Sequence, residues 1–112
     1  RAWIAERDGQ RLGAVLCVHV DDDTAKLRTL LVEPGARGMG IGTTLVRAVI
    51  RHAKQRGYKT LTLWTNDVLT AARRIYEREG FTLEHEAPNP AFGADLVEQT
   101  WSLNLSAWTE TS

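Results

Sequence analysis

"VEPGARGMGIGTTL", residues 32–45, places four glycines within eight positions, with Arg37 among them, between a run that reads as a strand and one that reads as a helix. Gly35, Gly38, Gly40 and Gly42 free the backbone for positive φ and for close approach to a ligand. The first N–H groups of the helix that follows have no partner inside the helix. A phosphate met by several of those amides and by the helix dipole is the common solution, with Arg37 able to add a charge-assisted contact. The alternative is a tight connection in which glycine serves only steric ends. Two nucleotide fingerprints fail: GxGxxG would need a glycine where Leu45 stands, and a P-loop needs Gly-Lys-Ser/Thr where the chain has Ile41-Gly42-Thr43. Nicotinamide, ATP and GTP sites are therefore disfavoured.

Working outward, "KLRTLLVE", 26–33, reads as a strand that stops at Pro34, whose missing N–H ends the ladder. Before it, "DDDTA", 21–25, is a polar turn. In "RLGAVLCVHV", 11–20, both faces are largely apolar, which predicts a central strand covered on both sides. Residues 2–7, "AWIAER", alternate, and Asp8-Gly9 is a hairpin signal joining these two strands antiparallel. Downstream, Leu45, Val46, Val49, Ile50 and Ala53 recur at helical spacing between Gly42 and Arg56, and Gly57 is well placed as the C-terminal cap. "YKTLTLWT", 58–65, alternates as a strand, parallel to the one before the glycine loop in a β-loop-α-β crossover. Ala71, Ala72, Ile75 and Tyr76 mark a second helix closed by Gly80, and strands at 81–85 and 97–105 flank a Pro- and Gly-containing loop, 87–94. The order β-β-β-α-β-α-β-β is a mixed α/β sheet with one parallel crossover.

At 112 residues the chain suits one domain, spanning 1–112, large enough to bury something over ~60% of its unfolded surface. The 14 Lys+Arg offset 14 Asp+Glu, so no net basic field marks a nucleic-acid or membrane partner. Cys17 stands alone in an apolar run, which excludes an internal disulfide and a clustered cysteine metal site and fits a reducing cytoplasm. No stretch approaches the roughly 18 apolar residues of a membrane span, so a cytoplasmic, soluble protein is the expectation. The chain begins at Arg1 in what reads as the middle of a strand, and so reads as the C-terminal part of something longer.

"Arg37-Gly38-Met39-Gly40-Ile41-Gly42" resembles the (Gln/Arg)-x-x-Gly-x-(Gly/Ala) signature of the GNAT family of acyl-CoA-dependent N-acetyltransferases. Val32-x-Pro34-x-x-Arg37 before it and Ala72-x-x-x-Tyr76-x-x-x-Gly80-Phe81 after the next strand stand at spacings similar to that family's. The resemblance spans about residues 2–105 and implies a GNAT-like fold with acetyl-CoA as cofactor. It also implies that Leu31 and Val32, with Arg37, Gly38, Met39, Gly40, Ile41, Gly42 and Thr43, hold the pantetheine and pyrophosphate through main-chain groups where two strands splay apart. Tyr76 is implied as the group that meets the thiol sulfur. The sequence looks most like the acetyltransferase half of bacterial chains in which such a domain follows a MarR-type winged-helix regulator. Two departures stand out. Leu69 occupies the place seven before the tyrosine where the family often has Asn; Asn66, ten before it, has either a cofactor role or a turn role with Asp67. The family's N-terminal strand and helices, which build the acceptor side, have no counterpart here.

The implied chemistry is direct transfer of the acetyl group to a primary amine, without a covalent enzyme intermediate. A backbone N–H near Val32 polarises the carbonyl and Tyr76 acts as the acid on the departing thiolate. An amine of pKa about 10.4 is neutral in only roughly one molecule in a thousand at pH 7, so a base or water chain is needed. Glu33 is the candidate, against the plainer reading of an exposed strand-end glutamate. His19, His52 and His85 read as structural or solvated, the tryptophans as packing with Trp64 facing either core or cleft, and Lys26, Arg28, Arg47, Arg51, Lys54 and Arg56 mostly as a solvated face. The acceptor is a small-molecule or peptide amine, and a homodimer is compatible with the sequence. From another class comes a second reading, an acyl-CoA-binding sensor of a fused transcription regulator with little turnover.

Overall fold

The computed structural model describes residues 1–36, 38–66, 70–88 and 97–109, and for Asn66 the main chain alone. Among these the elements run β1 (Ala2–Arg7), β2 (Gln10–His19), β3 (Thr24–Val32), a 3-10 turn (Pro34–Ala36), α1 (Ile41–Gln55), β4 (Thr60–Asn66), α2 (Thr70–Glu79), β5 (Thr82–Pro88) and β6 (Val97–Asn104). This is the order read from periodicity. Asp8 and Gly9, at φ 52° and 78°, make the two-residue turn that Asp-Gly favours, and Arg7 faces Gln10 across it. The second hairpin closes through Val20, Asp21 and Thr24, with the Asp23 N–H bonded to Asp21 Oδ1 at 2.9 Å.

The strands form one six-stranded sheet in the order β1-β2-β3-β4-β6-β5. All pairings are antiparallel except β3 with β4, joined by the α1 crossover. Strand alternation sends Val15, Cys17, Ala25, Leu27, Leu61, Leu63, Trp101 and Leu103 to one face, where they pack with Leu45, Val46, Val49, Ile50 and Ala53 of α1. Burying the four larger of these α1 side chains, at roughly 1.5–3 kcal/mol each, outweighs the weak helix propensity of its β-branched residues. Tyr76 of α2 and Phe81 complete the same cluster.

The opposite face is bare of helices among the described residues. Leu16 on β2 is 38% exposed, and Ala14 and Val18 are half-buried. Covering of β2 on both sides, expected from its two apolar faces, is thus met on one side by α1 and not on the other. The strand is central all the same, lying between β1 and β3. β5 extends to Pro88, further than the expected 81–85; as an edge strand it tolerates a residue without an N–H. No described helix is long and apolar enough to cross a membrane, and the described residues hold no cluster of metal-ligating side chains.

Candidate active site

β3 and β4 pair only from Thr24–Thr60 to Leu27–Leu63, and beyond that point the two strands part. The cause lies in β3. Its register against β2 slips between Ala14 and Leu16, and Thr29 takes a positive φ of 55°, so one extra residue bulges out of the ladder. The bulge also resets the alternation: Leu27 faces the helices, and after Thr29 it is Leu30 that packs against the core while Leu31 is 60% exposed. The Glu33 N–H donates to the Leu12 carbonyl at 2.8 Å, so alternation turns the main-chain N–H of Val32 away from β2, toward the gap.

The gap is a cleft of about 270 Å³ lined by Lys26, Leu27, Arg28, Thr29 and Leu30 of β3, Trp64 and Thr65 of β4, and Ala72 and Tyr76 of α2. Tyr76 is 4% exposed, its ring tilted against Phe81 with centroids 5.6 Å apart, and burial pushes its phenol up to about 12. The hydroxyl has no hydrogen bond to another described residue, although the side chain lines a cleft. Trp64 lines it too, 47% exposed, which decides between core and cleft.

At the mouth of the gap α1 begins on Gly40, in the left-handed region at φ 75°, with no side-chain cap and no acidic residue in its first turn. The Thr44 N–H donates to the Gly40 carbonyl, and the N–H groups of Ile41, Gly42 and Thr43 precede the first helical bond. That is an anion site in waiting, as read from the sequence, but its glycines divide the work differently. Gly38 and Gly40 have positive φ and open space where a Cβ would stand, whereas Gly35 does not take positive φ. Gly42 is buried inside the helix, where a Cβ would come within 2.8 Å of Ile75 Cδ1: it is glycine to let α2 sit against α1. Met39 and Ile41 flank the turn, the first exposed and the second packed on the core.

Other expected residues fall elsewhere. Arg37 lies outside the described residues, as do Asp67 and Leu69 and the side chain of Asn66, whose main chain pairs with Glu98. Glu33 is exposed past the end of β3 and does not line the cleft. Cys17 is buried and its thiol is pushed up by that burial, which suits packing and not nucleophilic attack. His52 is half-buried against Trp3, ring centroids 5.2 Å apart, and burial and then Arg1 and Arg56 push its pKa down. His19 Nδ1 lies 2.8 Å from the Tyr58 hydroxyl, and His85 is exposed on β5. Of the cations read as a solvated face, Arg47 instead meets buried Glu79 at 3.0 Å, and Lys54 donates to the Trp108 carbonyl at 2.6 Å. Lys26 and Arg28 line the cleft. The bulge at Thr29 was the feature sequence reading missed, although a signal was present: Lys26-Leu27-Arg28 alternates, and the second polar residue in succession, Thr29, puts Leu30 one step out of phase.

The family model described as the acetyltransferase (GNAT) family matches residues 1–81. The chain belongs to the GNAT acetyltransferase family. The described part of its signature, residues 38–42, falls on the turn and the start of α1. Mycothiol acetyltransferase from Cellulomonas flavigena is 32% identical over 115 residues, covering 87% of this chain and 33% of that protein. N-acetylaspartate synthetase from Danio rerio is 39% identical over 80 residues, 70% of this chain and 28% of that protein. The chain thus spans about a third of the length of these curated relatives. The GNAT fold is seen in the ribosomal-protein-S18-alanine N-acetyltransferase from Escherichia coli, with a TM-score of 0.84 at 24% identity over 100% of this chain and 73% of that one. A GNAT family acetyltransferase from Elizabethkingia anophelis, solved with acetyl-CoA bound, gives a TM-score of 0.81 at 19% identity over 92% of this chain and 74% of that one.

Proposed function

We propose that this chain is the cofactor-binding part of an N-acetyltransferase that moves an acetyl group from acetyl-CoA directly to a primary amine. The observation that carries this reading is the cleft between the parted ends of β3 and β4, with the Tyr76 hydroxyl on its wall and the uncapped α1 N-terminus at its mouth. Residues that fit acetyl-CoA are present. The N–H groups of Ile41, Gly42 and Thr43, with Gly38 and Gly40 shaping the turn, would hold the pyrophosphate, to which Arg37 would add its charge. The main chain of Leu31 and Val32 would run beside the pantetheine, and Asn66, the last residue of β4, would have a cofactor role. When bound, acetyl-CoA supplies a thioester carbonyl carbon open to attack.

Transfer would join the amine nitrogen to that carbon, with the C–S electron pair leaving on sulfur and the amine proton passing to a base. Val32 N–H, turned toward the gap, would polarise the carbonyl oxygen. Tyr76 keeps its proton at every pH near neutral, and at about 12 it holds that proton more tightly than an ordinary thiol near 8.5. It therefore works chiefly as a hydrogen-bond donor to the departing thiolate. Glu33, exposed at the strand end, would take the amine proton through water. The bare sheet face suits a further segment that completes the acceptor side, and a fused DNA-binding domain belongs to the same proposal.

The test is release of free CoA across a panel of amines, using the longest chain that contains this sequence. Release in proportion to added amine supports the enzyme. Tight acetyl-CoA binding with slow, amine-independent hydrolysis identifies instead the sensor of a transcription regulator.

A further inference from the structure

Resting on the acyl-transfer reading, we propose that the acceptor amine also carries an anionic group, of the carboxylate or phosphoryl class, and that Lys26 and Arg28 receive it. Both cations stand on the β3 face turned away from the helices: Leu27 between them is buried in the core, while Arg28 is exposed and Lys26 half-buried. Register places Thr62 beside Lys26, and one step outward Trp64 stands on the same face as Arg28. The cleft therefore has two sides. Leu27, Leu30, Ala72 and Tyr76 belong to the helix side, which the α1 N-terminus serves; Lys26, Arg28 and Trp64 belong to the bare side, from which a second substrate enters.

Charge points to what that substrate is. Among the described residues the lining holds two cations and no carboxylate, although the chain as a whole has formal net charge zero. Neither the Lys26 nor the Arg28 side chain bonds or pairs with another described side chain, in contrast to Arg47 with Glu79 and Lys59 with Asp23. Two cations with no opposing carboxylate among the described lining, at a cleft walled by Trp64 and Leu30, focus a positive potential there. A plain ammonium is repelled by that field, whereas an amine joined to an anion is drawn in. Once bound, the same cations disfavour the ammonium and raise the fraction of neutral amine that attacks. Arg28 suits the anion through its planar fork, and Trp64 offers an apolar wall to the carbon skeleton.

The experiment compares matched amines, one bearing a carboxylate, one a phosphate and one the neutral amide, at saturating acetyl-CoA with the longest chain. An anionic amine should exceed the amide in kcat/KM by about tenfold or more, the worth of one charged hydrogen bond. In Arg28→Gln and Lys26→Met that preference should fall toward unity, with the acetyl-CoA Kd held in calorimetry. Circular dichroism checks that both variants fold, and Arg28→Lys should keep part of the preference. An amide as good as its anionic partners overturns the proposal and leaves the enzyme standing; so does a loss of acetyl-CoA affinity in the variants, which would give these cations to the cofactor. If no amine releases CoA, the acyl-transfer reading fails. Calorimetry with glutarate and with phosphate then decides the anion site by itself: binding weakened in Arg28→Gln supports it, and no binding overturns it.

Discussion

At Tyr76 the sequence places an aromatic residue one turn beyond Ala72, on the face that must pack, and the structure adds that the same side chain also reaches a cleft. Tyr76→Phe keeps the ring and removes the donor, so kcat should fall about 10²-fold with the KM for acetyl-CoA nearly unchanged. Unchanged kcat in steady-state assays would take Tyr76 out of the mechanism. The same substitution has a signature in stability. The folded-state pKa, about 12, stands above the ordinary value near 10, so the stabilising effect of the protonated form is complete below pH 10 and is lost as pH rises through about 12. Urea unfolding between pH 8 and 12 should show wild type losing about 2 kcal/mol more than Tyr76→Phe. Gly40, at φ 75° with open space around it, is a second residue-scale test. Valine there opposes positive φ without touching the core, so the CoA-induced stabilisation, about 2.7 kcal/mol at a hundredfold excess over Kd, should disappear. A wild-type calorimetric titration of Gly40→Val would show that the amides do not cradle the cofactor.

Helix α2 carries Tyr76 and is held at its far end by a buried carboxylate. Glu79 is 8% exposed, and its Oε1 accepts from Arg47 Nε of α1 at 3.0 Å and from Trp108 Nε1 at 3.4 Å. Lys54 fixes the Trp108 carbonyl from the other side. Removing one partner of a buried pair leaves the other uncompensated, so Glu79→Ala should cost about 3 kcal/mol in urea unfolding, somewhat less than an enclosed pair because Arg47 keeps a quarter of its side chain in solvent. A change under about 0.5 kcal/mol would mean that α2 is held by its apolar face alone. The elements themselves were legible. Asp8-Gly9, Pro34, Gly57 and Gly80 punctuate the chain where turns and caps fall, and helical spacing marked α1. The Arg47–Glu79 contact was not, because the two residues are 32 apart and nothing local in either helix selects the other.

At the scale of the whole molecule, the sheet has helices on one face and Leu16, Lys26, Arg28 and Trp64 on the other. A chain extended at its N-terminus by a segment that covers this face should therefore turn over amine faster than these 112 residues alone and melt at a higher temperature, since covering Leu16 and its neighbours adds apolar burial. Equal activity and equal melting in both would show that the acceptor side is complete without such a segment.

What the sequence determined by itself was the order of elements, the parallel crossover and the glycine-led helix start, because each depends on residues near one another in the chain: period-2 and period-3.6 patterning, turn chemistry, and missing donors or Cβ atoms. What only the tertiary structure decided was where β3 leaves β4. That goes with one bulge at Thr29, a residue ordinary in composition, whose positive φ falls where the register against β2 slips and just beyond the last pair with β4. The bulge shifts the phase of the strand, brings Lys26 and Arg28 to a cleft in place of open solvent, and leaves Glu33 outside it. Local patterning sets which residues are apolar and which are bent; which of them meet across the gap is set by pairing between distant strands.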